Sequence, residues 1–349
     1  MGLKRLTGDP TLRWAAIISA TVLTLAGLWA ASAVMAPVAF ALFIIALVWP
    51  LQRRLQALVP QVIAVLISTA VAVLAIGAGG LVIWGFGGIT QWVIGNASRL
   101  QSLYMHAADL LERRGLYAAE LFAERINVLW LVQVLRAIGG SLQGVLSFSI
   151  VTFVFLLLGL FEAEPLGQRL RRIADGQSGV AAIDTAAEIA ARLQTYMLVR
   201  LGMSVLTGLA FWAFAGLYGL ELAREWGVIA FVLNFIPFIG SFVATLLPAV
   251  FAAAQFESLY AALVVFIGLN LLQFIIGSYI EPRVAGTAVS VSPFMVLFAV
   301  FFWGVLWGVA GAFIGVPILI ALAVVCARYP VTRSIAALLS ADTNTRSAS

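Results

Sequence analysis

The sequence predicts an all-α, polytopic membrane protein with about eight transmembrane helices, a proline-broken re-entrant element and two amphipathic helices outside the bilayer core. Three observations predict this class. Of the 349 residues, 63% are hydrophobic and only 10% are charged, and the mean hydropathy is +1.09. Apolar runs of about 20 residues recur along most of the chain, which is the length that an α-helix needs to cross a bilayer. The alternation that is typical of membrane-spanning β-strands is not found.

The first part of the chain, residues 1–84, contains three predicted transmembrane helices, at 14–34, 37–51 and 62–84. We interpret the first run as a span and not as a cleaved signal peptide, because another apolar run follows it at once. Residues 85–140 follow as an extramembrane region. Apolar residues recur there on one helical face at 100–111 and again at 121–130, which predicts two amphipathic helices. This region carries several arginines, so the side of the membrane on which it lies stays open.

Residues 141–327 form the predicted transport core. Runs at 142–161, 199–218 and 259–280 each fit one span, whereas the run at 292–327 is too long for one helix and is divided near Gly308 to Gly311. The run at 226–256 is also too long, and Pro237 interrupts it. Because proline removes a backbone donor and clashes with the preceding turn, this run is a kinked helix or a re-entrant hairpin. Residues 328–349 are expected to be a disordered cytoplasmic tail.

The orientation follows from the basic residues, which are enriched in cytoplasmic loops. They cluster before the first span, after the second, between 169 and 192, and after the last span. This arrangement predicts a multi-pass protein of the bacterial inner membrane with both termini in the cytoplasm. The basic residues lie at helix ends and form no continuous face, so lipid is an expected partner and nucleic acid is not.

Missing residue types exclude several classes of protein. The single lysine, Lys4, leaves no Walker A loop, so the chain cannot itself be an ATP-driven pump. One histidine, His106, and one cysteine, Cys326, leave no metal-binding motif. No aspartate lies in the apolar runs, which removes the paired carboxylates of an intramembrane protease. We therefore expect no catalytic residues, no metal and no cofactor, and the protein is not expected to be an enzyme.

A polar stripe precedes Pro282. Asn270, Gln273, Gly277 and Glu281 are spaced 3, 4 and 4 residues apart, so a regular helix would place them on one face. The stripe could line a cavity that holds a hydrophilic solute or a coupling ion, with Glu281 and Arg283 as the candidate coupling groups. It could equally serve interhelical hydrogen bonding, with Glu281 and Arg283 as an interfacial ion pair.

The broken helix around Pro237 is the second candidate. It frees backbone groups at membrane depth, where only protein or a water-filled cavity can satisfy them, and such breaks are where transporters bind their solutes. The predicted solute-binding residues are therefore Asn234, Pro237, Gly240, Ser241, Asn270 and Gln273. A kink that serves packing alone is the alternative.

Small residues and prolines near the C-terminus predict close helix packing or gating. Glycines spaced 4, 3 and 4 residues apart form a smooth stripe, on which helix backbones can approach or slide. The residues assigned to packing or gating are Pro282, Pro293, Gly304, Gly308, Gly311, Gly315 and Pro317. The triplet Phe-Ile-Gly occurs at 238–240 and again at 313–315, as expected of two interrupted elements in a repeat-built carrier.

The core resembles the autoinducer-2 exporter family of bacterial permeases, also called PerM-like. The resemblance rests on short motifs that keep their order along the chain, at 191–196, 206–208, 226–227, 234–240, 280–286, 292–293, 302–304 and 315–317. It implies an eight-helix membrane protein with cytoplasmic termini that forms a homo-oligomer. Members of this family are described as exporters of autoinducer-2, and some as sodium/proton antiporters.

The residues and the resemblance together predict a secondary transporter that exports a small hydrophilic metabolite, such as autoinducer-2 or a related signalling molecule. A sodium/proton antiporter that uses Glu281 is one alternative. An oligomeric channel or scaffold without coupled transport is another, since the glycine stripe and the amphipathic helices would suit it.

Overall fold

The computed structural model describes residues 10–56, 58–60, 62–63, 69–70, 84–96, 142–173, 177–285, 291–329 and 332–339. In these ranges the regular elements are α-helices and one π-helical turn. The predicted all-α class is thereby confirmed. Most of the predicted span at 62–84 and both predicted amphipathic helices at 100–130 lie outside the described residues.

The chain begins with two consecutive helices, α1 (Pro10–Ala30) and α2 (Ser32–Gln56), which are separated by a turn at Ala31. Pro37 and Pro50 lie inside α2. A helical segment at 84–95 comes next among the described residues. Its Trp92 ring lies 4.1 Å from the ring of Phe251, measured between centroids, so this segment packs against the core of the chain.

Two long helices follow, α3 (Leu142–Ile173) and α4 (Gln177–Tyr218). At 1.5 Å per residue, the 42 residues of α4 extend well beyond the roughly 30 Å of a bilayer core, so part of this helix projects from the membrane. Leu156 and Leu160 of α3 are fully buried in a cluster with Ile44 of α2 and Leu193 of α4. This cluster joins the N-terminal helices to the C-terminal half.

The run interrupted by Pro237 forms a helical hairpin, which we call the first hairpin. Its arms are α5 (Ala223–Leu233) and α6 (Ile239–Phe256), and its turn is at 234–238. At the open end, the Gln255 side chain bonds the Gly219 carbonyl and the Glu221 amide, each at 2.8 Å, where α5 is about to begin. The end of α6 therefore lies beside the start of α5. This arrangement favours a hairpin over a kinked span.

The next helix, α7 (Leu259–Ile275), begins with Ser258 as its N-cap, whose hydroxyl accepts a hydrogen bond from the Ala261 amide. It continues into a π-helical turn at Ile276–Ile280 and the short helix α8 (Glu281–Ala285). A π-turn inserts an extra residue into the helical register and is frequent at functional sites. The predicted common face of Gln273, Gly277 and Glu281 requires a regular helix. Because the helical register changes after Ile275, the spacing does not fix the face on which Gly277 and Glu281 lie.

The last long element, α9 (Pro293–Arg328), folds back on itself. Trp307 (φ −130°, ψ 16°) and Gly308 (φ 64°, ψ −146°) depart from helical geometry and divide it into two arms. A Cβ atom on Gly311 would overlap the Trp303 carbonyl, and one on Gly315 would lie 2.8 Å from the Ala299 carbonyl oxygen. The arms are therefore antiparallel and in close contact, and we call this element the second hairpin. The predicted division near Gly308 to Gly311 agrees with this turn.

A short helix, α10 (Arg333–Leu339), follows the second hairpin. Its Ala336 is buried, and the Leu339 carbonyl accepts a hydrogen bond from the Ser292 amide. The expectation that residues 328–349 form a disordered tail is therefore wrong for this segment. The tail contains enough apolar residues to pack one helix turn or two against α9.

The two hairpins meet through aromatic side chains. The rings of Phe235, in the turn of the first hairpin, and Phe313, in the second, are stacked with their centroids 5.3 Å apart. Six helical segments in the described residues are long and apolar enough to cross a membrane, and a shorter apolar helix spans Trp14–Ala30. The chain is a polytopic α-helical membrane protein.

Candidate functional site

A network of buried and part-buried polar side chains surrounds the turn of the first hairpin. Asn234, which is only 3% exposed, donates from Nδ2 to Ser204 Oγ of α4 at 3.2 Å. Its Oδ1 accepts from Gln273 Nε2 of α7 at 3.3 Å, and the same Nε2 lies 3.0 Å from Ser241 Oγ of α6. Asn234 thus links three helices. We call these four residues, Ser204, Asn234, Ser241 and Gln273, the polar site.

One buried polar atom of this site and one on the next turn of α4 have no hydrogen-bond partner among the described residues. They are Gln273 Oε1 and the hydroxyl of Thr207, which lies three residues after Ser204 on α4. An unpaired polar group in an apolar interior costs about 1–3 kcal/mol, so groups of this kind call for a partner such as water or a ligand. The arrangement can present a hydroxyl and an amide carbonyl to a hydrophilic solute.

The local sequence explains why the chain turns here. Pro237 has no amide hydrogen to donate, and Phe238 has a positive φ (φ 62°, ψ −61°), a conformation that cannot continue a helix. A Cβ on Gly240 would overlap the Leu233 carbonyl, so only glycine lets the two arms approach this closely. Pro237 and Gly240 therefore shape the turn that carries Asn234, and both are buried.

An ion pair lies near the polar site. Arg200 Nη1 of α4 is 3.1 Å from Glu281 Oε1, at the start of α8. The Arg200 residue is 8% exposed and its Nε is buried without a partner, whereas the Glu281 side chain is 34% exposed. The alternative in which Glu281 pairs with Arg283 is not seen, because Arg283 is exposed and Glu281 contacts Arg200 instead. The π-turn changes the direction in which Glu281 projects.

Arg200 is not among the predicted site residues, although its position in the sequence indicates a functional role. It lies at the start of the apolar run at 199–218, and an ionisable residue within such a run indicates a functional site. Arg200, Ser204 and Thr207 are spaced 4 and 3 residues apart, so they share one face of α4. This face is the counterpart of the polar stripe on α7, and the sequence analysis assigned it no role.

The remaining predicted residues lie apart from the network. The Asn270 amide donates to the Phe266 carbonyl of its own helix at 2.8 Å. Pro293 opens α9, where a missing amide hydrogen costs nothing, and Pro282 is the second residue of α8. The other predicted packing residues lie in the second hairpin, where Gly304 is near Ala312, Gly308 forms the turn, and Gly311, Gly315 and Pro317 are buried.

A second set of buried amides joins α2 to its neighbours. Gln52, which is fully buried, donates from Nε2 to the Leu160 carbonyl of α3 at 3.1 Å. Gln194 of α4 donates to the Leu47 carbonyl at 2.6 Å. These bonds connect residues 108 and 147 positions apart, and the sequence analysis assigned neither glutamine a role. They tie the N-terminal helices to the core by polar contacts.

Comparison with known proteins agrees with this architecture. The family model described as AI-2E family transporter matches residues 18–330. The chain is 28% identical over 323 residues to the AI-2 transport protein TqsA of Escherichia coli K12, which covers 91% of this chain and 93% of that protein. It is 35% identical over 147 residues to a putative transport protein of Borreliella burgdorferi, covering 42% of this chain and 40% of that protein.

Proposed function

Since the chain belongs to the AI-2E transporter family, we propose that it is a secondary transporter that exports a small hydrophilic metabolite across the bacterial inner membrane. The solute binds at the polar site, between the turn of the first hairpin and the facing helices α4 and α7. Both termini lie in the cytoplasm, and the protein works as a homo-oligomer. Autoinducer-2 is the first solute to test, because the relative TqsA is named an AI-2 transport protein.

The observation that carries this proposal is the buried hydrogen-bond network centred on Asn234. It lies where a helix is broken, and transporters use such breaks because freed backbone and polar side chains can replace the water around a solute. Gln273 Oε1 has no partner in the described part of the chain and can accept a hydrogen bond from a solute. The unpartnered Thr207 hydroxyl can donate one to it.

The contacts of Glu281 argue against the sodium/proton antiporter alternative. Its carboxylate lies against the Arg200 guanidinium, which would repel a bound cation. In the described residues, no group of three or more histidine, cysteine, aspartate or glutamate side chains could hold a metal ion. A cation would need Glu281 to leave Arg200 and would find few other anionic ligands there.

Transport into inside-out membrane vesicles tests the proposal. Autoinducer-2 added outside such vesicles should accumulate inside them when a proton or sodium gradient is imposed. Gln273→Leu removes an amide that bonds both Asn234 and Ser241, so we expect the initial rate to fall about tenfold or more.

Asn96→Leu is the matched control, because the part-buried Asn96 amide donates to the Trp92 carbonyl four residues earlier in the same segment. Its transport rate should stay near that of the wild type. Equal rates in the wild type and Gln273→Leu would reject the site. Flux that does not respond to either gradient would instead support the channel alternative.

A further inference from the structure

Arg200 has more hydrogen-bonding capacity than its described partner uses. A guanidinium carries five N–H donors and cannot be deprotonated in a protein. One donor bond reaches Glu281 Oε1, and Nε is buried with no partner among the described residues. Because a buried cation is costly without a neutralising anion, negative charge at this position stabilises the fold.

The charged and titratable groups around Glu281 are few. From α4 it contacts Arg200, and Tyr196 lies one turn before Arg200 on the same helix. Tyr279 in the π-turn and Arg283 in α8 are exposed. Within the described residues, no second carboxylate bonds Arg200. If Glu281 takes up a proton, another anion must neutralise Arg200.

The polar site lies within reach of Arg200. Ser204 follows Arg200 by four residues on α4, which is about 6 Å along the helix axis. A solute of a few carbon atoms is therefore long enough to reach from Ser204 to the guanidinium with one end. A carboxylate suits the end of the solute that touches Arg200, because the N–H donors of a guanidinium match the two carboxylate oxygens.

We propose that the polar site also takes hydroxylated carboxylic acids, and that the carboxylate of such a solute replaces Glu281 on Arg200 when Glu281 takes up a proton. This inference rests on the proposed function, since it names a further solute class for that same site. The exchange is balanced: the Arg200–Glu281 contact breaks, one proton from water binds the Glu281 carboxylate, and one solute carboxylate pairs with Arg200. The net charge of the site is unchanged, so a monoanion fits and each bound solute brings one proton.

Binding to the purified full chain in lipid nanodiscs tests the exchange, with gluconate, sorbitol and propionate as probes. Gluconate carries both hydroxyls and a carboxylate, whereas sorbitol lacks the carboxylate and propionate lacks the hydroxyls. Calorimetry in two buffers that differ in ionisation enthalpy measures the protons taken up. We expect gluconate to bind at least about tenfold more tightly than either other probe, with one proton taken up per molecule. Its Kd should rise about tenfold per pH unit wherever Glu281 is ionised in the free protein.

Two variants separate the parts of the mechanism. Glu281→Gln imitates the protonated carboxyl, so gluconate should bind with no proton uptake and with a Kd independent of pH. Arg200→Gln should lose gluconate binding about a hundredfold, because the carboxylate loses its counter-charge. Arg192→Gln is the control, since Arg192 is half-exposed two turns earlier on α4 and pairs with Glu188. If Arg200→Gln does not fold, the proton uptake of the wild type and of Glu281→Gln decides the question.

Equal binding of sorbitol and gluconate, gluconate binding without proton uptake, or no gluconate binding at all would each overturn the inference. Gradient-driven transport of autoinducer-2 that depends on Gln273, without any binding of gluconate, would overturn the inference and leave the proposed function in place. The absence of any gradient-driven transport, with gluconate bound as described, would instead reject the proposed function alone.

Discussion

Asn234 and Ser204 lie on different elements and share a hydrogen bond of 3.2 Å, from Nδ2 to Oγ. Asn234 caps the end of α5, and Ser204 is fully buried on α4. This bond fixes the turn of the first hairpin against the longest helix of the described chain. The position of the polar site therefore depends on one amide side chain.

Replacing Asn234 by leucine should damage both stability and transport. Ser204 would lose its described donor, and Gln273 would lose one of two acceptors, in a buried environment. We expect the free energy of unfolding to fall by about 1–3 kcal/mol and the initial transport rate to fall with it. Unfolding in detergent and vesicle uptake measure the two effects. Asn96→Leu should change the free energy of unfolding by about 0.5 kcal/mol or less, and an equal loss in both variants would contradict the assignment.

Gly240→Ala should destabilise the first hairpin. The added Cβ would overlap the Leu233 carbonyl, which is backbone and cannot rotate away as a side chain can. We expect a loss of about 1–3 kcal/mol in the free energy of unfolding. Gly202→Ala is the control, because nothing lies within 4 Å of a Cβ at that helical position, and alanine there should be neutral or slightly stabilising. A melting temperature for Gly240→Ala equal to that of Gly202→Ala would refute the close approach.

Gly308→Ala should destabilise the second hairpin for a different reason. Space is available, since no atom lies within 4 Å of the added Cβ, but the backbone has φ 64° and ψ −146°. That region is open almost only to glycine, so we expect a cost of about 1–3 kcal/mol in the thermal unfolding of the detergent-solubilised protein. Gly304→Ala, whose Cβ would make an ordinary contact of 3.6 Å with Ala312 Cβ, should be much milder. A melting temperature for Gly308→Ala above that of Gly304→Ala would show that the chain does not change direction at Gly308.

The ion pair between Arg200 and Glu281 should behave asymmetrically in a double-mutant cycle. Glu281→Leu leaves the Arg200 cation, which is 8% exposed, without its anionic partner. Arg200→Leu leaves the Glu281 carboxylate, whose side chain is 34% exposed and more easily hydrated. Breaking a buried pair costs about 3–5 kcal/mol, and we expect Glu281→Leu to approach that range and Arg200→Leu to fall short of it.

The variant that carries both Glu281→Leu and Arg200→Leu should lose less free energy of unfolding than the sum of the two single losses, because it leaves neither charge unpaired. The free energies of unfolding of the four proteins give the coupling energy. Additive losses in the double variant would mean that the two side chains do not interact.

The elements that the sequence predicted correctly are those that depend on local chemistry. Pro237 and the excess length of its run predicted a break, and Gly308 within a run of 36 residues predicted another, because covalent restrictions act at the residue itself. The grouping of Asn234, Ser241 and Gln273 was also within reach, since polar residues at membrane depth seek one another.

The parts that were missed depend on contacts between distant segments or on helical register. Nothing near Gln52 indicates that Leu160, 108 positions away, accepts its hydrogen bond. The π-turn at Ile276–Ile280 has no signature in the spacing of the polar stripe, so Glu281 was expected on the same helix face as Gln273. Arg200 was overlooked because its neighbours are apolar, although that setting is what makes its charge significant.

The stack of Phe235 on Phe313 limits how the molecule can change shape. One ring belongs to the turn beside the polar site, and the other belongs to an arm of the second hairpin. Alternating access requires something around a bound solute to move. If the first hairpin moved alone, the stacked rings would separate and their apolar faces would lose contact. Because such a ring pair contributes about 0.5–1.5 kcal/mol beyond the area that it buries, the stack favours a movement in which the two hairpins stay together.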